Sequence, residues 1–150
     1  MAKRDFNITV DIAAASEHVW RVMSDIERWA EWTRSIKSIR LLNKGPLAMG
    51  SKALVRQPKL LPAVWKVTAL EPSRSFTWKT GGPGVSVEGW HSVESVGPGR
   101  CRATLSLRFD GLFGGLVAQL TRGLNNRYLN LEAEGLKRRS ESAAAARAVK

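Results

Sequence analysis

His91 is the side chain of this 150-residue sequence best suited to chemistry on a bound molecule. An imidazole titrates near neutrality and both donates and accepts hydrogen bonds. The run Val85-Ser86-Val87-Glu88-Gly89-Trp90-His91-Ser92-Val93 alternates apolar and polar residues, so His91 shares a strand face with Val85, Val87 and Val93 and points into an apolar interior. There it would serve as a general acid/base or as a hydrogen-bonding group for a ligand, and the plainer reading is a packed core histidine. Tyr128 follows the apolar period of the last segment and offers a second inward hydroxyl. His18 falls in the first turn of a helical segment, facing solvent. Cys101, the one cysteine, begins a strand and reads as a small buried hydrophobe. Asp25 and Glu27 suit the start of a helix and need no catalytic role. There is no Ser–His–Asp order, no phosphate-cradling glycine loop and no metal-ligand cluster, so the sequence calls for no cofactor and no metal.

The elements that position these residues follow from period and punctuation. Phe6 to Ile12 alternates as a half-buried strand. Ser16 is a candidate N-cap, Val19, Val22, Met23 and Ile26 recur at helical spacing, and Ser24-Asp25-Ile26-Glu27 has the capping-box form. These signals predict two short helices, near 17–23 and 25–32. From Ser35 to Asp110 short Val-, Thr- and Trp-rich segments are separated by Asn43-Lys44-Gly45-Pro46, Gln57-Pro58, Glu71-Pro72-Ser73, Gly81-Gly82-Pro83-Gly84 and Gly97-Pro98-Gly99. That spacing predicts a six-stranded antiparallel meander. From Phe113 to about Ser140 the period becomes helical, with Phe113, Leu116, Val117, Leu120, Leu124, Tyr128 and Leu131 on one face and a local weakness at Gly114, Gly115 and Gly123. The fold class is α+β: a curved seven-stranded antiparallel sheet on a long C-terminal helix, as one domain over 1–140. An Ala-rich tail, 141–150, is expected to fray or be disordered.

Composition narrows the function. Apolar residues make up 43% and charged residues 25%, which excludes disordered, collagenous and disulfide-rich classes. No apolar run is long enough to span a bilayer, and the N-terminus shows no signal-peptide core, so a cytoplasmic location is expected. Net charge is +11. Arg34, Lys37, Arg40, Lys44, Lys52, Arg56, Lys59 and Lys66 lie in one stretch that contains no acid. Such a field suits an anionic membrane surface or nucleic acid, or simply keeps a surface solvated.

The landmarks Ser16-Glu17-His18-Val19-Trp20, Ser24 to Trp32, Gly50, Gly97-Pro98-Gly99, Phe109-Asp110-Gly111-Leu112 and Leu131 to Lys137 resemble the START-like, helix-grip (SRPBCC) superfamily, in its polyketide cyclase/dehydrase and lipid-transport branch. The resemblance spans about residues 4 to 140 and implies a hydrophobic cavity between sheet and helix. It implies no particular reaction, because one fold carries many functions. Strand parity supplies the cavity wall independently: Trp65, Phe76 and Trp78, then Val87 and His91, then Leu105 and Leu107. The helix adds Phe113, Val117, Leu120, Leu124 and Tyr128. Meander parity brings Gln57 to Pro62, Gly81 to Gly84 and Asp110 to Phe113 to one rim, with Leu60, Leu61 and Pro83 at the cavity mouth. The leading expectation is binding or transport of a small hydrophobic ligand: a lipid, an isoprenoid or an aromatic polyketide-like molecule. The alternatives are a cyclase/dehydratase-type enzyme using His91 as acid/base, and a basic adaptor docking on RNA or an anionic membrane through the Arg34–Lys66 region. One histidine and one tyrosine facing inward are a thin inventory for acid/base chemistry, which wants both partners together. The oligomeric state is not encoded in these patterns.

Overall fold

The computed structural model describes the backbone of residues 4–149 and the side chains of residues 4–143. Seven strands form a single antiparallel sheet: β1 (Asp5–Ile12), β2 (Ser38–Leu41), β3 (Lys52–Arg56), β4 (Ala63–Glu71), β5 (Ser75–Gly82), β6 (Val85–Gly97) and β7 (Arg100–Asp110). Their order across the sheet is β1-β7-β6-β5-β4-β3-β2. The meander therefore runs through six consecutive neighbours, and β1 closes the far edge against β7. Strand parity holds as expected. Phe6, Ile12, Val67, Phe76, Trp78, Val93, Cys101, Ala103, Leu105 and Phe109 are buried on the concave face, while Arg102, Arg108 and Trp90 are exposed on the other.

On the convex face the register sets Lys52 opposite Lys66 and Lys66 opposite Lys79. Like charges directly across a ladder destabilise the sheet. The row then meets an acid, with Lys79 opposite Glu88 and Glu88 opposite Arg108.

Between β1 and β2 lie α1 (Ser16–Ser24) and a 3-10 helix, Ile26–Glu31. Both predicted helices exist, but their caps differ from expectation. Ala15, not Ser16, occupies the N-cap of α1, and neither helix has a side-chain cap bond. Ser24 is still inside α1, so it cannot cap the next helix. Glu27 turns away from the capping box, and its Oε2 accepts from the Leu41 N–H at 3.1 Å, tying the 3-10 helix to β2. His18 is partly buried rather than solvent-facing, with its Nε2 3.2 Å from the Ser140 carbonyl.

The predicted long helix is two: α2 (Gly114–Leu120) and α3 (Arg122–Val149). The break is at Thr121, whose N–H and hydroxyl both bond to the Val117 carbonyl, the hydroxyl at 2.7 Å. Back-bonding of this kind bends a helix, and Gly123 adds little propensity to resist it. The buried face is also not the predicted one. Gly114, Gly115 and Ala118 sit against the sheet, while Phe113, Leu116 and Leu120 are exposed. Small residues let α2 approach β7 closely, and close approach outweighs the burial of three large side chains farther out. In α3 the buried residues include Asn125, Tyr128, Leu129, Ala133, Gly135, Leu136 and Ser140. Most of the tail expected at 141–150 lies outside the residues whose side chains are described.

Candidate functional site

Between the concave face and the kinked helices lies a cavity of about 470 Å³. Its sheet wall includes Trp65, Trp78, Val87, His91, Leu107 and Phe109. Its helix wall is Val117 from α2 with Thr121, Asn125, Tyr128, Leu129 and Glu132. Trp29 and Ile36 close one end, and Gln57, Lys59, Leu60 and Leu61 line the other side.

The sheet wall is aromatic because β5 and β6 face one another in register, with Phe76 opposite His91 and Trp78 opposite Gly89. A Cβ at Gly89 would stand 2.9 Å from Trp78 Nε1, so the missing side chain makes room for that indole. Trp78 in turn packs on Trp65 and Trp29, with ring centroids 5.4 and 5.6 Å apart. Phe76 stacks on His91 at 4.3 Å and 9°. Trp29 stands 5.3 Å from the same imidazole. His91 Nδ1 is buried with no hydrogen-bond partner. Burial pushes the His91 pKa down to about 3, with only a weak opposing pull from the Phe76 backbone. At neutral pH His91 is therefore an uncharged imidazole.

Glu132 was not singled out from the sequence, where an acid on a charged helix reads as a solvated side chain. The structure brings it to the cavity. Trp32 packs against α3 so closely that Ser35 reaches Glu132, its Oγ donating to Oε1 at 3.4 Å. Ser35 also meets Thr33 Oγ1 at 2.8 Å, and Gln57 Nε2 donates to the Ser35 carbonyl at 3.2 Å. Burial raises the Glu132 pKa from 4.5 to about 7, opposed only by the Ser35 bond. A carboxyl poised near neutrality in a cleft is the signature of a functional candidate.

Leu60 and Leu61 line the cavity from the turn between β3 and β4, and Pro83 is not among the lining residues. Leu60 N–H bonds to the Gln57 carbonyl, making a turn with Pro58 at its second position and Lys59 at φ 66° at its third. Tyr128 donates its hydroxyl to the Pro58 carbonyl, which ties this turn to α3. In the turn between β5 and β6 Gly84 has φ 80°, and its carbonyl accepts from Phe113 N–H at 2.8 Å. A Cβ there would lie 2.5 Å from the Phe113 ring, so Gly84 is required by both backbone and space. Leu60 is 42% and Leu61 89% exposed, so this β3–β4 turn presents apolar side chains to solvent beside the exposed Lys59.

Of the residues expected to line the cavity, Trp65, Trp78, Val87, His91, Leu107, Val117 and Tyr128 do, as do Leu60 and Leu61. Phe76 and Leu105 are too deep, buried beneath the wall at 0% and 3% exposure. Phe113 and Pro83 are exposed and Leu124 is half-buried, and none of the three is among the lining residues. Leu120 points outward at 76% exposure, because the phase of α2 is set by its small residues. Among the lining residues that sequence reasoning missed are Trp29, Phe109, Thr121, Asn125 and Glu132. Among the described residues no group of His, Cys, Asp and Glu could hold a metal ion, and no helix is long and apolar enough to cross a membrane.

The family described as polyketide cyclase/dehydrase and lipid transport matches residues 3–141. The chain belongs to that family. No curated protein matches the sequence. A hypothetical protein from Helicobacter pylori has a similar structure, with a TM-score of 0.75 at 13% identity over 91% of this chain and 86% of its own. A Thermus thermophilus protein gives 0.73 at 17% identity, over 93% and 99%. An aromatase/cyclase from a Streptomyces species gives 0.64 at 19% identity, over 93% and 97%. At such identities the likeness establishes the helix-grip fold that the family shares.

Proposed function

We propose that this member of the polyketide cyclase/dehydrase and lipid-transport family binds and carries a small hydrophobic ligand, of lipid, isoprenoid or aromatic polyketide-like kind. The observation that carries this reading is the open cavity of about 470 Å³ with an aromatic sheet wall and with exposed Leu60 and Leu61 in its lining. A ligand that buries about 300 Å² of apolar surface there gains roughly 7 kcal/mol before ordering costs. The test is occlusion. Val117→Trp, which adds bulk to the helix wall, is expected to abolish binding of a neutral naphthalene probe at a stability cost of about 1–3 kcal/mol. Leu120→Trp, one turn away on the exposed face, should leave probe binding unchanged. Undiminished binding in a folded Val117→Trp protein would overturn the placement of the ligand.

A second reading, an enzyme of the cyclase/dehydratase type, is favoured by one observation: His91 and Glu132 line the same cavity. The Streptomyces aromatase/cyclase likeness is in keeping with it. Glu132, with its pKa near 7, would be the proton-transfer group, and neutral His91 would donate or accept a hydrogen bond. Its mark would be turnover of a polyketide-like substrate that is lost in Glu132→Gln with binding intact; equal turnover in that variant would exclude it. The Lys52–Lys66–Lys79 row would suit a polyanionic partner, either an anionic membrane or nucleic acid, and salt-sensitive retention on heparin measures that separately.

A further inference from the structure

The two walls of the cavity differ in chemistry. The sheet side and its closed end present the indoles of Trp65, Trp78 and Trp29. The helix side presents Thr121, Asn125, Tyr128 and Glu132, spaced four, three and four residues apart along one face of α3 and the kink before it. The donors of this row are largely committed. Thr121 Oγ1 donates to Val117, Asn125 Nδ2 donates to Thr121 Oγ1 at 2.9 Å, and Tyr128 donates to Pro58. What faces the cavity is therefore rich in acceptors. Glu132 is the strongest of them, and its one hydrogen bond among the described residues, from Ser35 at 3.4 Å, is long for a group with about four acceptor sites. His91 contributes no positive charge, and the one Lys or Arg among the lining residues, Lys59, is exposed on the turn between β3 and β4.

We propose that the cavity selects ligands carrying a protonated amine on an apolar body, with the nitrogen against Glu132 and the body along the indole wall. The inference rests on the hydrophobic-ligand reading and adds the polar end of the ligand to it. An ammonium donates three hydrogen bonds and supplies the counter-charge that the desolvated carboxyl lacks. Indole faces attract the same cation electrostatically. A fatty-acid head in that position would instead meet a like charge. The overall charge of +11 works against any amine, so a preference for one must come from the site itself.

The experiment is a titration of the full chain at pH 8 with dodecylamine, dodecanol and dodecanoate, each below its aggregation limit, followed by indole fluorescence and calorimetry. Dodecylamine is expected to bind at least about tenfold more tightly than dodecanol. Glu132→Gln should bring dodecylamine affinity down to that of dodecanol measured on the same variant, erasing that margin. An alcohol or carboxylate that binds the native protein as well as the amine overturns the proposal, as does an amine preference that survives Glu132→Gln. Dodecanol binding reports on the cavity by itself: if it binds while the amine margin is missing, only the amine selection fails. If none of the three binds, the hydrophobic-ligand reading falls too.

Discussion

Gly135→Ala is expected to lower the melting temperature by about 5–10 °C, against the direction that helix propensity gives. Alanine is the better helix former by about 1 kcal/mol in a helix interior, so propensity alone predicts a gain. The contact decides otherwise. A Cβ at Gly135 would stand 2.0 Å from the Trp32 carbonyl oxygen and 3.0 Å from its carbonyl carbon and ring. The obstacle is backbone, so it cannot swing aside as a flexible side chain would. Either α3 or the segment carrying Trp32 must withdraw by about an ångström from a close-packed interface. Overpacking of this kind costs about 1–3 kcal/mol and occasionally more, and a backbone clash belongs at the top of that range. The net loss of about 2–3 kcal/mol converts to the stated fall for a chain of this size. Thermal melts followed by circular dichroism provide the check, and a melting temperature equal to or above that of the native protein would refute the close approach. The same approach brings Ser35 to Glu132, so the substitution should also disturb the cavity.

Glu132→Gln should stabilise the protein at pH 8 by up to about 3 kcal/mol and do little at pH 4. Folding raises the Glu132 pKa from 4.5 to about 7. Between those values the folded state holds a proton that the unfolded state has lost, so stability falls as pH rises through this window. The gap is worth about 3 kcal/mol at most, fully felt above pH 7 and absent below 4.5. His91 acts in the opposite sense. Its folded pKa is pushed down from 6.5 to about 3, so its contribution is present above 6.5 and is lost as pH falls toward 3. The two slopes oppose one another between 4.5 and 6.5, which gives the native protein a flat region there. Removing the carboxylate leaves the histidine slope unopposed between 4.5 and 6.5, so the variant should gain stability up to about pH 6.5 and hold it beyond. Denaturant unfolding at pH 4, 5.5 and 8 measures this, and a difference between the two proteins that does not depend on pH would contradict it.

Much of the architecture was legible because strand alternation has a period of two and one face of the sheet is buried. A shift of one residue would have put every charge of β7 into the core, so the inward placement of His91, Trp78 and Leu107 followed from sequence alone. The same parity, together with turn residues, put Leu60 and Leu61 near the cavity, whose lining includes both. The landmark motifs gave the superfamily and its fold. The helix was less legible, since its face was read from large apolar residues. Gly114, Gly115 and Ala118 carry no strong hydrophobic signal, yet their smallness is what lets α2 lie on the sheet and turns Leu120 outward. The kink depends on a Thr121 hydroxyl that competes for the Val117 carbonyl, a choice visible only in the bonded structure. Glu132 is the largest difference. Its residue type and helical neighbours mark it as exposed, and only the contact of Trp32 with Gly135 brings Ser35 and the cavity wall around it. The sheet, its faces and the family follow from residue pattern. Tertiary structure decided which helix residues meet the ligand space and which carboxyl loses its water, because both depend on close approaches between segments about a hundred residues apart.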